Sequence, residues 1–164
     1  MNDDSIEIKC ELSLCDLQSA EYLELTAYRN DIAVGKLDAF RCYQIDFEPQ
    51  HIDEDVFDAM DAESADLYDV GLFFREHGAN IVEYYDGFVV IQKLEVFPPF
   101  RGIGVGKRLL DAVDDYDRGI PLLKVINAFP FESSKARFSQ NQQKLIQYYN
   151  KFGYALVKDG FMVK

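Results

Sequence analysis

Tryptophan is absent from this chain of 164 residues, and cysteine and histidine are scarce, at three and two. The odd cysteine count, with no Cys-x-x-Cys, argues against a disulfide framework or a cysteine-built metal site. Cys10 lies in a stretch of alternating apolar residues, and Cys10, Cys15 and Cys42 read as buried thiols. His51 and His77 lie in polar stretches without metal-ligand spacing, so they read as surface residues and no metal is expected. Basic residues are also few: 17 Lys and Arg against 29 Asp and Glu leave a formal charge of −12. That balance disfavours a general binder of phosphate backbones, which needs Lys and Arg to displace counterions. It suits a cationic or amine-bearing partner, or simply a soluble surface. No run approaches the ~18 apolar residues of a membrane span. Met1-Asn2-Asp3-Asp4-Ser5 lacks the basic and apolar regions of a signal peptide, so the expected location is the cytoplasm, with no membrane partner.

What the chain does contain is apolar surface. Hydrophobic residues are 48% and aromatics 14%, which excludes a mostly disordered chain. The length suits one domain able to bury a core without a metal or disulfide staple. Ile6 to Leu14 alternates as a strand, with Ile6, Ile8, Cys10 and Leu12 on one face. Tyr22 to Tyr28 alternates too, with Leu23, Leu25 and Ala27 together. Asn30-Asp31 reads as a tight turn into a further strand over 32–37, because both residues tolerate left-handed backbone.

Ile45 to Asp69 carries ten Asp and Glu and no Lys or Arg. From about Asp53, the residues Val56, Phe57, Met60, Leu67, Val70 and Phe74 recur at helical spacing. One amphipathic helix, or two short ones, is expected there, ending near His77-Gly78. The acidic residues are either a solvated helix face or a wall that attracts a cationic substrate.

Phe88 to Val96 reads as a central strand, buried on both faces over its first half and stopped by Pro98-Pro99. Arg101-Gly102-Ile103-Gly104-Val105-Gly106 follows, and Ile103, Gly106, Leu110 and Val113 then run at helical spacing to about Tyr116. Leu122 to Ala128 is a strand, and Gln140 to Phe152 a helix with Leu145, Ile146, Tyr149 and Phe152 as its apolar stripe. Gly153 caps that helix, and a hairpin turns at Asp159-Gly160. The order strand–helix–strand–helix–strand in the second half argues for α/β or α+β layering.

Glycines on alternate positions at the start of a helix let several backbone N–H groups point into one space, an anion cradle for a phosphate or pyrophosphate. A dinucleotide fingerprint fails here, since its third Gly would fall on Lys107. A P-loop fails as well: Arg108 follows Lys107, and Arg101 stands where the earlier Gly belongs. The segment does match Gln/Arg-x-x-Gly-x-Gly/Ala, as Arg101, Gly104 and Gly106. Independently, Tyr149-Asn150-Lys151-Phe152-Gly153-Tyr154 matches Tyr-x-x-x-Gly-Phe. On these two motifs, in order, the chain resembles the GNAT superfamily of acyl-CoA-dependent N-acyltransferases from about Phe88 to Lys164.

The resemblance implies a mixed, mostly antiparallel central sheet flanked by helices, with a V-shaped splay between central strands. It makes 1–164 a single domain, with a divergent substrate-side half (1–80) and an acyl-CoA-binding half (81–164). The implied cosubstrate is acetyl-CoA. Backbone amides of Gly102, Ile103, Gly104, Val105, Gly106 and Lys107, led by Arg101, would hold its pyrophosphate. Leu94 and Val96 would pair with the pantetheine arm, and Gln142 stands where many members carry a cofactor-contacting Asn. Tyr149 falls on the general acid that protonates the leaving thiolate, with Tyr148 about 100° around the helix as the alternative in register. Lys107 and Arg108 either add charge near the phosphates or are solvated. Glu95 is the candidate general base, with Glu83 and Glu132 as alternatives.

The implied activity is acetyl transfer to a primary amine of a small cationic molecule or a protein, by direct attack without a covalent enzyme intermediate. No Cys or Ser stands next to a His with nucleophile spacing. The alternative is a non-catalytic acyl-CoA-binding or protein-interaction module using the acidic 45–69 region. The acidic balance disfavours a nucleic-acid partner, and a homodimer is left open. One departure bears on the substrate: family members usually carry two helices between the first two strands, and the gap between Leu14 and Tyr22 is too short for them.

Overall fold

The structure, a computed structural model, describes residues 5–14, 20–43, 67–73, 76, 85–117, 119–130 and 134–164. Among these, strands β1 (Glu7–Leu14), β2 (Ala20–Arg29), β3 (Ile32–Tyr43), β4 (Gly87–Val96), β5 (Leu122–Asn127), β6 (Ala155–Lys158) and β7 (Phe161–Val163) form one sheet. Its order is β1-β2-β3-β4-β5-β7-β6, and only β4 and β5 run parallel. Helical backbone covers 67–73 (α1), Val105–Tyr116 (α2) and Phe138–Asn150 (α3). This is the mixed, mostly antiparallel sheet of an α+β fold.

The strands follow the expected pattern, except that β3 continues past the expected 32–37 to Tyr43. β1 pairs directly with β2 up to Leu14 opposite Glu21, so two strands stand side by side where the resemblance would have placed two helices between them. Asn30 and Asp31 turn the next hairpin with φ of 51° and 60°, and Asp159 and Gly160 turn the last with 49° and 92°. Both are left-handed pairs whose twist matches that of the flanking strands. Of the proposed buried thiols, Cys42 is buried, Cys10 is half-buried, and Cys15 lies outside the described residues. Leu12, expected on the apolar face of β1, is exposed: β1 is an edge strand, open on one side.

Two apolar layers sandwich the sheet. On one face Leu23, Leu25, Leu37, Val89 and Ile91 pack against Val105, Leu109 and Val113 of α2 and Ile146 and Tyr149 of α3. On the other, Phe40, Phe88, Val90 and Val125 pack against Leu67, Val70 and Phe73 of α1. The first half of β4 feeds both layers, which is why it reads as a continuous apolar run. Most of the expected acidic helical region (45–66, with His51), together with Phe74 and His77, lies outside the described residues. No helix among the described residues is long and apolar enough to cross a membrane.

α2 begins two residues later than the Ile103 spacing suggests. Gly104, at φ 90°, is its N-cap, so Ile103 stays outside the helix and exposed, and Val105 opens the buried stripe. α3 runs from Phe138 to Asn150, shifted about one half-turn earlier than expected. The C-terminal end of α2 is held electrostatically. Buried Arg41 donates to the Tyr116 carbonyl at 2.7 Å and pairs with Glu21. Lys124 on β5 sits between Asp117 at 2.6 Å and Asp114 at 3.1 Å, and the Lys164 ammonium reaches Asp114 at 2.8 Å. Asp117 is 3% exposed, so removing its cation strands a buried charge. Lys124→Ala is expected to lower stability by about 3 kcal/mol, read as the shift of the urea midpoint.

Candidate active site

The site is built where β4 loses a neighbour. β5 pairs with β4 only from Gly87 opposite Leu122 to Ile91 opposite Ile126. On the other edge, β3 keeps pairing to the end of β4, but the register jumps from Ala39 opposite Ile91 to Asp38 opposite Lys93. Gln92 is therefore a one-residue bulge, which bends a strand and increases its twist. Beyond it, 92–96 have no ladder partner on the β5 side, where β5 itself ends at Asn127, and this open edge of β4 is where a V-shaped splay is expected.

The bulge also reverses the faces. Val89 and Ile91 point toward α2 before it, and Leu94 and Val96 pack on that same side after it. Backbone direction follows from one hydrogen bond. The Phe97 N–H donates to the Val34 carbonyl on β3 at 3.0 Å. The Val96 carbonyl, across the same trans peptide, therefore points away from β3 into the V. Two residues back, Leu94 turns its N–H and C=O the same way. The Arg101 Nε donates to the Val96 carbonyl at 3.0 Å, which ties the glycine turn to the end of β4.

The turn itself has the geometry of an anion cradle. Gly102 and Gly104 hold φ of 84° and 90°, and a Cβ on either would meet nothing within 4 Å. Open space thus faces the first N–H groups of α2, which have no acceptor within the helix. Space and donor type both fit a diphosphate. The nearby cations are partly engaged: Lys107 pairs with Asp111 one turn along, and Arg108 lines a cleft between β1 and α2 with Ile8, Asp111, Asp115 and Tyr116.

Gly106 answers to a close approach. A Cβ there would collide with the Tyr148 hydroxyl and lie 3.5 Å from Val96 Cγ2. α3 thus brings Tyr148 to the first turn of α2 and the open end of β4. Tyr149, one residue on, is 6% exposed in the core layer, edge-on to Tyr154 at 6.1 Å and to Tyr148 at 5.4 Å. Burial, then the neighbouring Tyr148, pushes the Tyr149 phenol well above its ordinary range, and burial raises Tyr148 too. Both hydroxyls therefore stay protonated at neutral pH. Gln142 lies near the end of β5: a Cβ on Gly160 would meet both its Nε2 and Asn127 Oδ1.

On the face away from α2, the far half of β4 carries charge. Glu95 pairs with Lys93 at 2.9 Å, and Glu24 on β2 pairs with Lys36 on β3 at 3.2 Å. Asp38, opposite both Glu24 and Lys93 in the ladder, has no ion pair among the described residues. Sequence reasoning missed it, since a single outward carboxylate in an alternating strand carries no local signal. Glu83 and Glu132 lie outside the described residues. Among the described residues, no group of three or more His, Cys, Asp or Glu could hold a metal ion.

No protein-family model matches the sequence, and no curated protein matches it. Solved structures do. The apo form of an agmatine N-acetyltransferase mutant superposes with a TM-score of 0.55 at 15% identity, over 82% of this chain and 59% of that one. A Drosophila melanogaster polyamine N-acetyltransferase that forms N-acetylagmatine gives 0.53 at 16% identity, with the same coverage of 82% and 59%. The fold is that of the GNAT N-acetyltransferases. The chain spans about three fifths of the length of these two proteins.

Asp38 makes the pH behaviour of this face testable. Burial, then Glu24, raises its carboxyl above the ordinary 3.8. The folded state then binds the proton more tightly than the unfolded chain, so stability falls as pH rises from 3.8 through the raised value. Asp38→Asn is expected to raise the urea midpoint at neutral pH. The gain should vanish below 3.8, where both states are protonated.

Proposed function

We propose that the chain is an acyl-CoA-dependent N-acyltransferase, with acetyl-CoA as donor and a primary amine of a small cationic molecule or a protein as acceptor. The observation that carries this reading is the continuity of three features. The parallel pairing of β4 with β5 ends at a bulge, the freed strand runs into a positive-φ glycine turn, and the turn opens onto a helix N-terminus. The agmatine and polyamine acetyltransferases that share the fold, and the net charge of −12, favour a cationic acceptor.

When bound, acetyl-CoA supplies an acyl thioester. The amides from Gly102 to Lys107 would hold its diphosphate, and the inward backbone of Leu94 and Val96 would align its arm along the V. Tyr149 keeps its proton at Oη and would deliver it to the departing sulfur. A phenol fixed by ring packing is suited to that, because its orientation is set before the reaction. Glu95, on the opposite face of β4 from α2, would accept the ammonium proton directly or through water. The amine attacks from that face, and no enzyme nucleophile intervenes.

Acetyl-CoA at about 100 times its dissociation constant is expected to stabilise the protein by roughly 2.7 kcal/mol in thermal melts. Gly104→Glu should abolish that shift by placing a carboxylate in the anion site; an unshifted wild-type melt at millimolar CoA would overturn the cofactor assignment. Tyr149→Phe, which keeps the ring packing, is expected to lower kcat by roughly 10²–10⁴-fold while CoA affinity holds. A loss of only a few-fold would remove Tyr149 from the chemistry.

A further inference from the structure

Gly106 lies inside the first turn of α2, where alanine would serve the helix better. What the missing side chain makes room for is an oxygen. The Tyr148 hydroxyl stands where the Gly106 Cβ would be. The Cα–Cβ vectors of a helix tilt toward its N-terminus, so that oxygen stands beside the first turn of α2, whose leading N–H groups have no acceptor within the helix. Val96 Cγ2, 3.5 Å from the same point, marks the open end of β4. The ring is set edge-on to Phe152 at 4.9 Å and to Tyr149 at 5.4 Å, so the position of the hydroxyl is fixed by packing. Among the described residues the hydroxyl makes no hydrogen bond. Apolar packing alone would be served by Phe at 148 with alanine at 106; the pairing of Tyr148 with Gly106 keeps a donor at the edge of the cradle.

We propose that Tyr148 is a cofactor-binding residue, whose O–H joins the α2 amides and donates to a diphosphate oxygen of CoA. The inference rests on the acyl-CoA reading above and adds to it a neutral donor from a third element. Such a donor has a reason to be there. The Arg101 Nε is turned back to the Val96 carbonyl and the Lys107 charge is paired with Asp111, so these donors are partly engaged within the protein. Burial keeps the Tyr148 phenol protonated, and hence a donor, across the neutral range. Tyr148 and Tyr149 thereby divide the work: one binds, and the other holds the proton for transfer.

The test is calorimetric titration with CoA, and separately with ADP, of the wild type, Tyr148→Phe, Gly106→Ala and the double variant, with ligand-free melts of each. Tyr148→Phe is expected to weaken both ligands about tenfold, as for one hydrogen bond to a charged group, with its ligand-free Tm unchanged. Gly106→Ala should lower the Tm, and Tyr148→Phe in the same chain should restore it, because the oxygen that the new Cβ meets is gone. Wild-type affinity in Tyr148→Phe overturns the inference, as does a loss seen with CoA but not with ADP. A ligand-free Tm that falls in Tyr148→Phe makes Tyr148 a packing residue and overturns it too. If the wild type binds neither ligand, the acyl-CoA reading itself fails and takes this inference with it.

Discussion

One extra residue in β4 organises the molecule. Gln92 has no partner on β3, and the strand leaves β5 at the residue before it. Without the bulge, the parity of β4 would continue: Lys93 and Glu95 would face the apolar layer under α2, and Leu94 and Val96 the other side. With it, apolar residues stay under α2 while the charged pair moves to the opposite face. The same residue therefore keeps the core intact, opens the edge of the sheet and turns polar backbone into the opening. Unpaired N–H and C=O groups at mid-sheet are costly when buried. Here the Val96 carbonyl is met by Arg101, and the opening is polar enough to take a ligand that pairs as a strand would.

α2 is finished differently at its two ends. At the C-terminus the Tyr116 carbonyl meets Arg41, while Lys124 and Lys164 neutralise Asp114 and Asp117 and fasten the helix to β5 and the last strand. The negative end of the helix is thus satisfied within the protein. At the N-terminus no side chain caps the helix, and two glycines leave space in front of it. A helix anchored at one end and open at the other presents its positive end to whatever anion enters. In a chain of net charge −12, neutral donors do this without requiring many exposed cations.

The sheet then separates two approaches to the V. The cradle and the tyrosines of α3 lie on one face, and Glu95, Lys93, Lys36, Glu24 and Asp38 on the other. Two ion pairs account for four of those five charges, which leaves Asp38 to carry the net negative charge of that patch.

Much of this was legible in the sequence because it depends on local periodicity and backbone conformation. Alternation marked β1 and β2, the continuous run Phe88–Ile91 marked a strand buried on both faces, and Asn30-Asp31 and Asp159-Gly160 marked turns that need left-handed backbone. The glycine turn and the Tyr149–Tyr154 motif identified the fold. What the sequence could not determine were quantities set by packing between distant segments. The bulge at Gln92 leaves no signature, since it exists only as a mismatch between β4 and β3. Which of two adjacent tyrosines reaches α2 depends on the rotation of α3 against it, and the reason for Gly106 lies 42 positions away in the Tyr148 hydroxyl. Asp38 is one carboxylate among many along the chain; only the ladder shows that its neighbours' cations are already taken. Local conformation is written in neighbouring residues, while these contacts arise when the chain closes on itself.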